Sequence, residues 1–167
     1  GRIVVPFDGS DLARSALPVA AGLARRVEAP VHLVRVVPSA DQMVGRQDIR
    51  QTGRLFQRAA RAMPMMDQPA VDPTWHDEYV GSIREAQASE ASRLAASGVR
   101  AGSEVRVGET VPQLLEALAP DDVVVRTSHG EGGVRRWLMG SVAEQLIHQA
   151  VAPVVLVPSP GRERIAT

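Results

Sequence analysis

The sequence predicts a single α/β domain built on a doubly wound, five-stranded parallel sheet in the order 3-2-1-4-5. Three observations carry that prediction. Four short runs are dense in β-branched residues: Ile3–Phe7, Val31–Val37, Val123–Val125 and Val154–Val157. They are continuous rather than alternating, as in strands covered on both faces. Stretches of helical length lie between them, the rhythm of βαβ units joined by right-handed crossovers. The 167 residues, 44% of them hydrophobic, suffice for one well-buried domain and are short for two.

Ile3–Phe7 is the first strand. Leu12–Val27 follows as a helix with Leu12, Ala16, Val19 (or Ala20), Leu23 and Val27 on one stripe, and Ser10 or Asp11 at its N-cap. Pro18 lies inside it, removes one backbone hydrogen bond and predicts a kink. Val31–Val37 is the second strand. The stretch Pro38–Val80 then breaks the rhythm, with a helix expected over Gln47–Met63 followed by a segment rich in Met, Pro and Asp. Two readings stand for it: an insertion or lid over the binding edge, or a surface excursion packing Trp75 and Tyr79 onto the body. Ser82–Ser97 is the next helix, closed by Gly98 at its C′ position. Glu104–Val107 alternates polar and apolar and makes the third strand. The short helix Val111–Ala119 ends at Pro120 and leads into Val123–Val125. The helix Ser141–Ala150, with Val142, Leu146 and Ile147 inward, leads past Pro153 to Val154–Val157. The expected domain is 1–158, with an insertion at about 38–80 and a flexible tail over 159–167.

Composition removes several classes of function. Nineteen basic residues balance nineteen acidic ones, leaving no global charge for nucleic acid or an anionic membrane. All the basic residues are Arg; the absence of Lys excludes Schiff-base chemistry and a P-loop lysine. The absence of Cys excludes disulfides, thiolate metal sites and cysteine nucleophiles. Aromatics at 3% provide no stacking platform for single strands. No apolar run approaches the roughly 18 residues of a membrane span, and no secretory leader is visible, so a cytoplasmic location is expected. His32, His76 and His148 lack metal-ligand spacing, with His148 expected on a solvated helix face. GxSxG, HExxH and paired carboxylates beside a base are all missing. Asp121 and Asp122 precede the fourth strand, at the end of the sheet away from a ligand, where acid–base catalysis is not expected.

The most informative segment is VVVRTSHGEGGVRRWLMGS, Val123–Ser141. A buried strand enters a Gly-rich loop, which enters a helix. Glycines allow close backbone approach to an anion, and the helix start adds unpaired N–H groups and a positive dipole end. Ser141 caps that helix when the site is empty and donates to phosphate when it is filled. In an open sheet this loop stands at the reversal of winding, beyond the carboxyl ends of the strands. Loop glycines are also simple turn-formers, so placement rather than composition gives the segment its weight.

The runs RIVVPFDGSDLARSALPVAAGLA, HLVRVVP and SHGEGGVRRWLMGSVAEQLIHQAVAPVVLVP resemble a universal stress protein domain over nearly the whole chain except 38–80 and the last residues. The nucleotide-binding members carry G-x-x-G-x9-G-[ST] in this loop. The resemblance therefore implies ATP as ligand, with Mg possible, and a site made of Pro6, Asp8, Gly9, Val36, Thr127, Gly130, Gly140, Ser141 and Val142. Asp8 corresponds to the acidic residue facing adenosine, with Pro6 and Gly9 shaping the turn around it. Val36 corresponds to the residue whose backbone meets the adenine edge. Asp8 as a partner of Ser10 in capping the first helix, and Val36 as plain strand core, are the alternatives. Thr127 replaces the first glycine of the motif, either crowding the nucleotide or offering its hydroxyl as a contact. Arg126 replaces an aliphatic residue, either solvated at the strand tip or aimed into the pocket toward phosphate. Arg135 and Arg136 are candidate phosphate clamps or solvated loop charges, and His129 lies in the same loop.

The expected function is an adenine-nucleotide-binding stress-response or regulatory protein with slow or no hydrolysis. It is expected to form a homodimer through the last strand, without nucleic-acid or membrane partners. The alternative is a dimeric interaction scaffold that has lost nucleotide binding; a small enzyme on the same sheet ranks third.

Overall fold

Five strands, β1 (Ile3–Pro6), β2 (Val31–Val37), β3 (Ala101–Val107), β4 (Val123–Ser128) and β5 (Val154–Pro158), form one parallel sheet. Its order is β3-β2-β1-β4-β5, as the alternation of elements predicts. The computed structural model describes residues 1–43, 74–128 and 141–158. Val4, Val5, Leu33, Val124 and Val125 are wholly buried in the middle of the sheet, which is why these runs show no polar alternation. Burying each such side chain contributes roughly 1.5–3 kcal/mol.

Two helices, α1 (Asp11–Arg14) and α2 (Leu17–Val27), replace the single kinked helix expected over Leu12–Val27. Pro18 is the second residue of α2, and its nitrogen has no hydrogen to offer the Arg14 carbonyl. The chain therefore stops and restarts at Ser15 and Ala16 instead of bending through. The restart also shifts the inward stripe. Ala13, Ala16, Leu17, Ala20, Ala21 and Ala24 are buried, while Val19 and Val27 are exposed.

The crossover helix α3 (Trp75–Ala96) begins at Trp75 rather than Ser82, so Trp75, Tyr79 and Val80 belong to it. His76 Nε2 donates to the Pro38 carbonyl at 2.9 Å, tying the start of α3 to the end of β2. Gly98 follows α3 with φ +87°, a conformation that costs glycine little. β3 starts at Ala101, ahead of the expected Glu104. Two further helices, α4 (Thr110–Glu116) and α5 (Ser141–Gln149), flank β4 in the sequence. In α5, Leu146 is buried as expected, whereas Ile147 is exposed: it follows Leu146 by one residue and turns about 100° off the inward stripe. His148 is also exposed. The helix expected over Gln47–Met63 and the tail over 159–167 lie outside the described residues.

The helices α1, α2 and α3 cover the sheet face carrying Ile3, Val5, Leu33 and Val125. The opposite face, with Val4 and Val34, packs on Leu114 and Ala117 of α4 and Leu146 of α5. At the amino end of the strands, Asp122 is buried and closes a network. Its Oδ1 accepts from the Arg2 amide at 2.8 Å and Arg2 Nε at 3.2 Å; its Oδ2 accepts from Arg2 Nη2 at 2.7 Å and the Ala119 amide at 3.0 Å. No helix among the described residues is long and apolar enough to cross a membrane.

Candidate functional site

The ladder between β1 and β4 ends early. Ile3 pairs with Val123 and Val4 with Val124, whereas the β1–β2 ladder continues to Pro6 and Val34. The amides of Ile3 and Phe7 donate to Pro30 and Val34 on the β2 side. By the alternation of a strand, the Pro6 nitrogen then faces β4, and without a hydrogen it cannot extend that ladder. The strands part where the winding reverses, leaving a cleft of about 400 Å³ at their carboxyl ends. That volume lies in the range of small-molecule sites, roughly 300–1,000 Å³.

One wall comes from the turn after β1 and from α1: Phe7, Asp8, Ser10, Leu12 and Ala13. The other comes from Val34 and Val36 of β2, Thr110 and Leu114 of α4, and Val142 of α5. Successive β4 residues point to opposite faces. Val124 lies on the α4–α5 face, so Arg126 enters the cleft from that side. Val125 lies on the α1–α2 face, and Thr127 follows it. Thr127 is 5% exposed, and its hydroxyl donates to the Leu12 carbonyl at 3.2 Å. Its proton is thus used in joining β4 to α1. The side chain stays on the lining of the cleft while that proton is engaged by Leu12.

The turn Asp8–Ser10 is built locally. Gly9 has φ +86°, where a Cβ would be strained and would lie 3.1 Å from Arg35 Nη1. Asp8 Oδ1 accepts from the Ser10 amide at 2.9 Å, and Ser10 Oγ accepts from the Ala13 amide at 3.1 Å as the N-cap of α1. Asp8 therefore holds the capping residue in place while its exposed carboxylate lines the cleft. Desolvation alone would raise the Asp8 pKa; hydrogen bonding from Ser10 and the nearby Arg35 guanidinium outweigh it and hold the carboxyl below its usual range.

Arg126 has the opposite problem. Its Nη1 is buried and makes no hydrogen bond among the described residues. Burial pushes its pKa down, opposed only by the charge of Asp8, yet a guanidinium remains protonated. Of the two sequence readings for Arg126, the solvated strand tip is corrected: the side chain is half-buried in the cleft.

Of the nine expected site residues, Pro6, Asp8, Val36, Thr127 and Val142 line this cleft, and Gly9 stands behind it against Arg35. Ser141 opens α5. Gly130, Gly140, His129, Arg135 and Arg136 lie outside the described residues. Sequence reasoning did not single out Phe7, Leu12, Arg35, Thr110 or Leu114 as site residues. Arg35 carried a signal, since it precedes Val36 at the end of the second strand; Thr110 and Leu114 arrive only because α4 folds back over β2. No group of three or more His, Asp or Glu among the described residues is arranged to hold a metal ion.

A sequence profile of the universal stress protein family matches residues 1–158. A universal stress protein of Methanocaldococcus jannaschii, MJ0531, is 26% identical over 97% of this chain and 84% of its own length. Among solved structures, a universal stress protein in complex with cAMP is 19% identical, with a TM-score of 0.58 over 95% of this chain and 97% of that one. The universal stress protein of Archaeoglobus fulgidus in complex with dAMP is 22% identical, with a TM-score of 0.55 over 93% and 95%. At these identities the two structures share the fold with this chain.

Proposed function

The chain belongs to the universal stress protein family, and from that premise we propose that it binds an adenine nucleotide and acts as a dimeric regulator in stress responses rather than as an enzyme. One observation carries the reading: the cleft at the carboxyl ends of β1, β2 and β4 gathers Pro6, Asp8, Val36, Thr127 and Val142, distant in sequence, around about 400 Å³. Two proteins of the same fold were solved with cAMP and dAMP, which supports a mononucleotide-sized guest here. ATP, with or without Mg, is the ligand toward which the loop motif points. Its phosphates would extend toward the start of α5, the positive end of that helix dipole. No group lining the cleft among the described residues is set to activate water, and hydrolysis is proposed to be slow or absent.

Calorimetric titration of the purified chain with ATP and AMP tests this, together with native mass spectrometry of any ligand carried through purification. Saturable binding is expected. It should weaken at least about tenfold in Val36→Glu, which sets a carboxylate against an anionic ligand, and in Gly140→Val. Absence of heat and of thermal shift with every adenine nucleotide would overturn the reading. It would favour a scaffold without nucleotide, to which the close packing of Thr127 at the end of β4 lends weight.

The proposed dimer forms through β5. It is an edge strand bonded only to β4, with Val154–Val157 half-buried, and such an edge is commonly covered. Light scattering should give twice the chain mass at micromolar concentration, and a clean monomer would count against it. The domain is proposed to span 1–158, and a cytoplasmic setting is proposed with it.

A further inference from the structure

Arg126 is the one cation of the cleft whose buried nitrogen has no partner among the described residues. It projects from β4 on the α4–α5 face, among the apolar side chains of Val36, Leu114 and Val142. Arg35 is a second cation of this cleft, and its influence is already felt at Asp8. Asp8 is the single acidic side chain of the lining among the described residues, and it accepts from the Ser10 amide. No carboxylate among the described residues forms an ion pair with Arg126. Among the described residues the cleft therefore holds two positive charges against one negative, with the buried nitrogen of Arg126 unmatched.

We propose that Arg126 receives a phosphate group of the bound ligand inside the cleft, so that the site selects phosphorylated ligands over their unphosphorylated counterparts through β4 itself. The inference rests on the nucleotide reading above and assigns its charge selectivity to one residue. A neutral acceptor, such as a base nitrogen or a carbonyl, satisfies a donor but leaves the buried charge uncompensated. A phosphate oxygen does both, and a guanidinium can meet two such oxygens at once. The surrounding apolar walls lower the local dielectric and strengthen the pairing. An arginine whose purpose was structural would be expected to find its partners within the protein, as Arg2 does with Asp122 and the Ala117 carbonyl.

The test titrates adenosine, AMP and ATP into the full chain and into Arg126→Met, a side chain of similar length without charge, at one fixed salt concentration. Thermal melts of both proteins accompany the titrations. The unaltered protein is expected to bind AMP about 10- to 100-fold more tightly than adenosine, the range of a charge-assisted contact. In R126M that ratio should collapse to within a few fold. Adenosine affinity should hold or improve, and the melting temperature should hold or rise because an unpaired buried cation is gone. R126Q serves as a second neutral variant should R126M not fold, with the same loss of ratio expected.

An unchanged AMP-to-adenosine ratio in the variant overturns the proposal while leaving nucleotide binding intact. A lower melting temperature with equal loss for all three ligands also overturns it, by making Arg126 a structural residue. If the unaltered protein binds none of the three, the nucleotide reading fails, and inorganic phosphate decides the rest. A thermal shift with phosphate that R126M abolishes upholds Arg126 as an oxyanion site; no shift removes it.

Discussion

The two ends of the sheet treat buried charge in opposite ways. At the amino end, Asp122 is 1% exposed, and each of its oxygens accepts two hydrogen bonds, from Arg2 and from the Ala119 amide. Burial alone would raise its pKa; hydrogen bonds from Arg2 and Ala119 and the charge of Arg2 overcome that and bring it to about 2. At the carboxyl end, Arg126 has a buried nitrogen with no partner among the described residues, and Asp8 acts on it only at a distance. A buried charge that the chain satisfies fully holds strands and loops together. One left unmatched beside an open cleft is a standing cost to folding that an anion from outside can relieve.

Removing the closed network should have the largest effect on stability. Asp122→Ala strips four accepting contacts and leaves the Arg2 side chain with the Ala117 carbonyl but no counter-charge, at an expected cost of about 3 kcal/mol in chemical denaturation, the low end for a buried pair because Arg2 is partly exposed. Ligand affinity at the far end of the sheet should not change. A large change in affinity would mean that the two ends are coupled and do not treat buried charge independently.

Acid should act through the same carboxylate. Its folded pKa of about 2 lies below the ordinary value of 3.8, so the folded state binds its proton less readily than the unfolded state. The stabilisation is therefore complete above about pH 5 and is lost as pH falls through 3.8 toward 2, about 2 kcal/mol in all. Denaturation curves at pH 6, 4 and 2.5 should show this slope, and Asp122→Asn should flatten it.

A smaller test asks whether unmatched polar groups are simply tolerated in this protein. Gln87 in α3 is 1% exposed, and neither its Oε1 nor its Nε2 finds a partner among the described residues. It does not line the cleft. Gln87→Met should raise stability by about 1 kcal/mol and leave ligand binding untouched. If Gln87→Met altered nucleotide binding, the unmatched group at Arg126 would lose its special standing.

Smallest are the contacts that build the cleft wall. Thr127→Val loses the hydroxyl bonded to the Leu12 carbonyl and should cost about 1 kcal/mol. Ser10→Ala removes the cap of α1 and should cost about 0.5–1 kcal/mol, α1 being only four residues long. Both should weaken binding modestly, since each loosens the turn that carries Asp8; denaturation and titration on the same preparations measure the two effects together.

Much of this was legible in the residues. The strands announced themselves because Val and Ile covered on both faces leave no alternation, and their order followed from the handedness of crossovers. The broken first helix was half legible: Pro18 predicted an interruption, but not that α2 would begin anew at Leu17 with a stripe of alanines facing the sheet. The early start of α3 was hidden because Trp75–Gly81 follows a Pro-rich segment and shows little amphipathic contrast.

What the chain determined unaided was the sheet, its order and the edge at which the cleft opens, because periodicity and connection rules act locally and along the sequence. Only the folded arrangement decided how individual polar groups are used. Thr127 is turned onto Leu12, Arg126 keeps a buried nitrogen without a partner among the described residues, and Asp122 is satisfied mainly by Arg2, 120 positions away. A side chain's hydrogen bonds and desolvation depend on neighbours that long-range packing supplies, and no local pattern in the sequence specifies them.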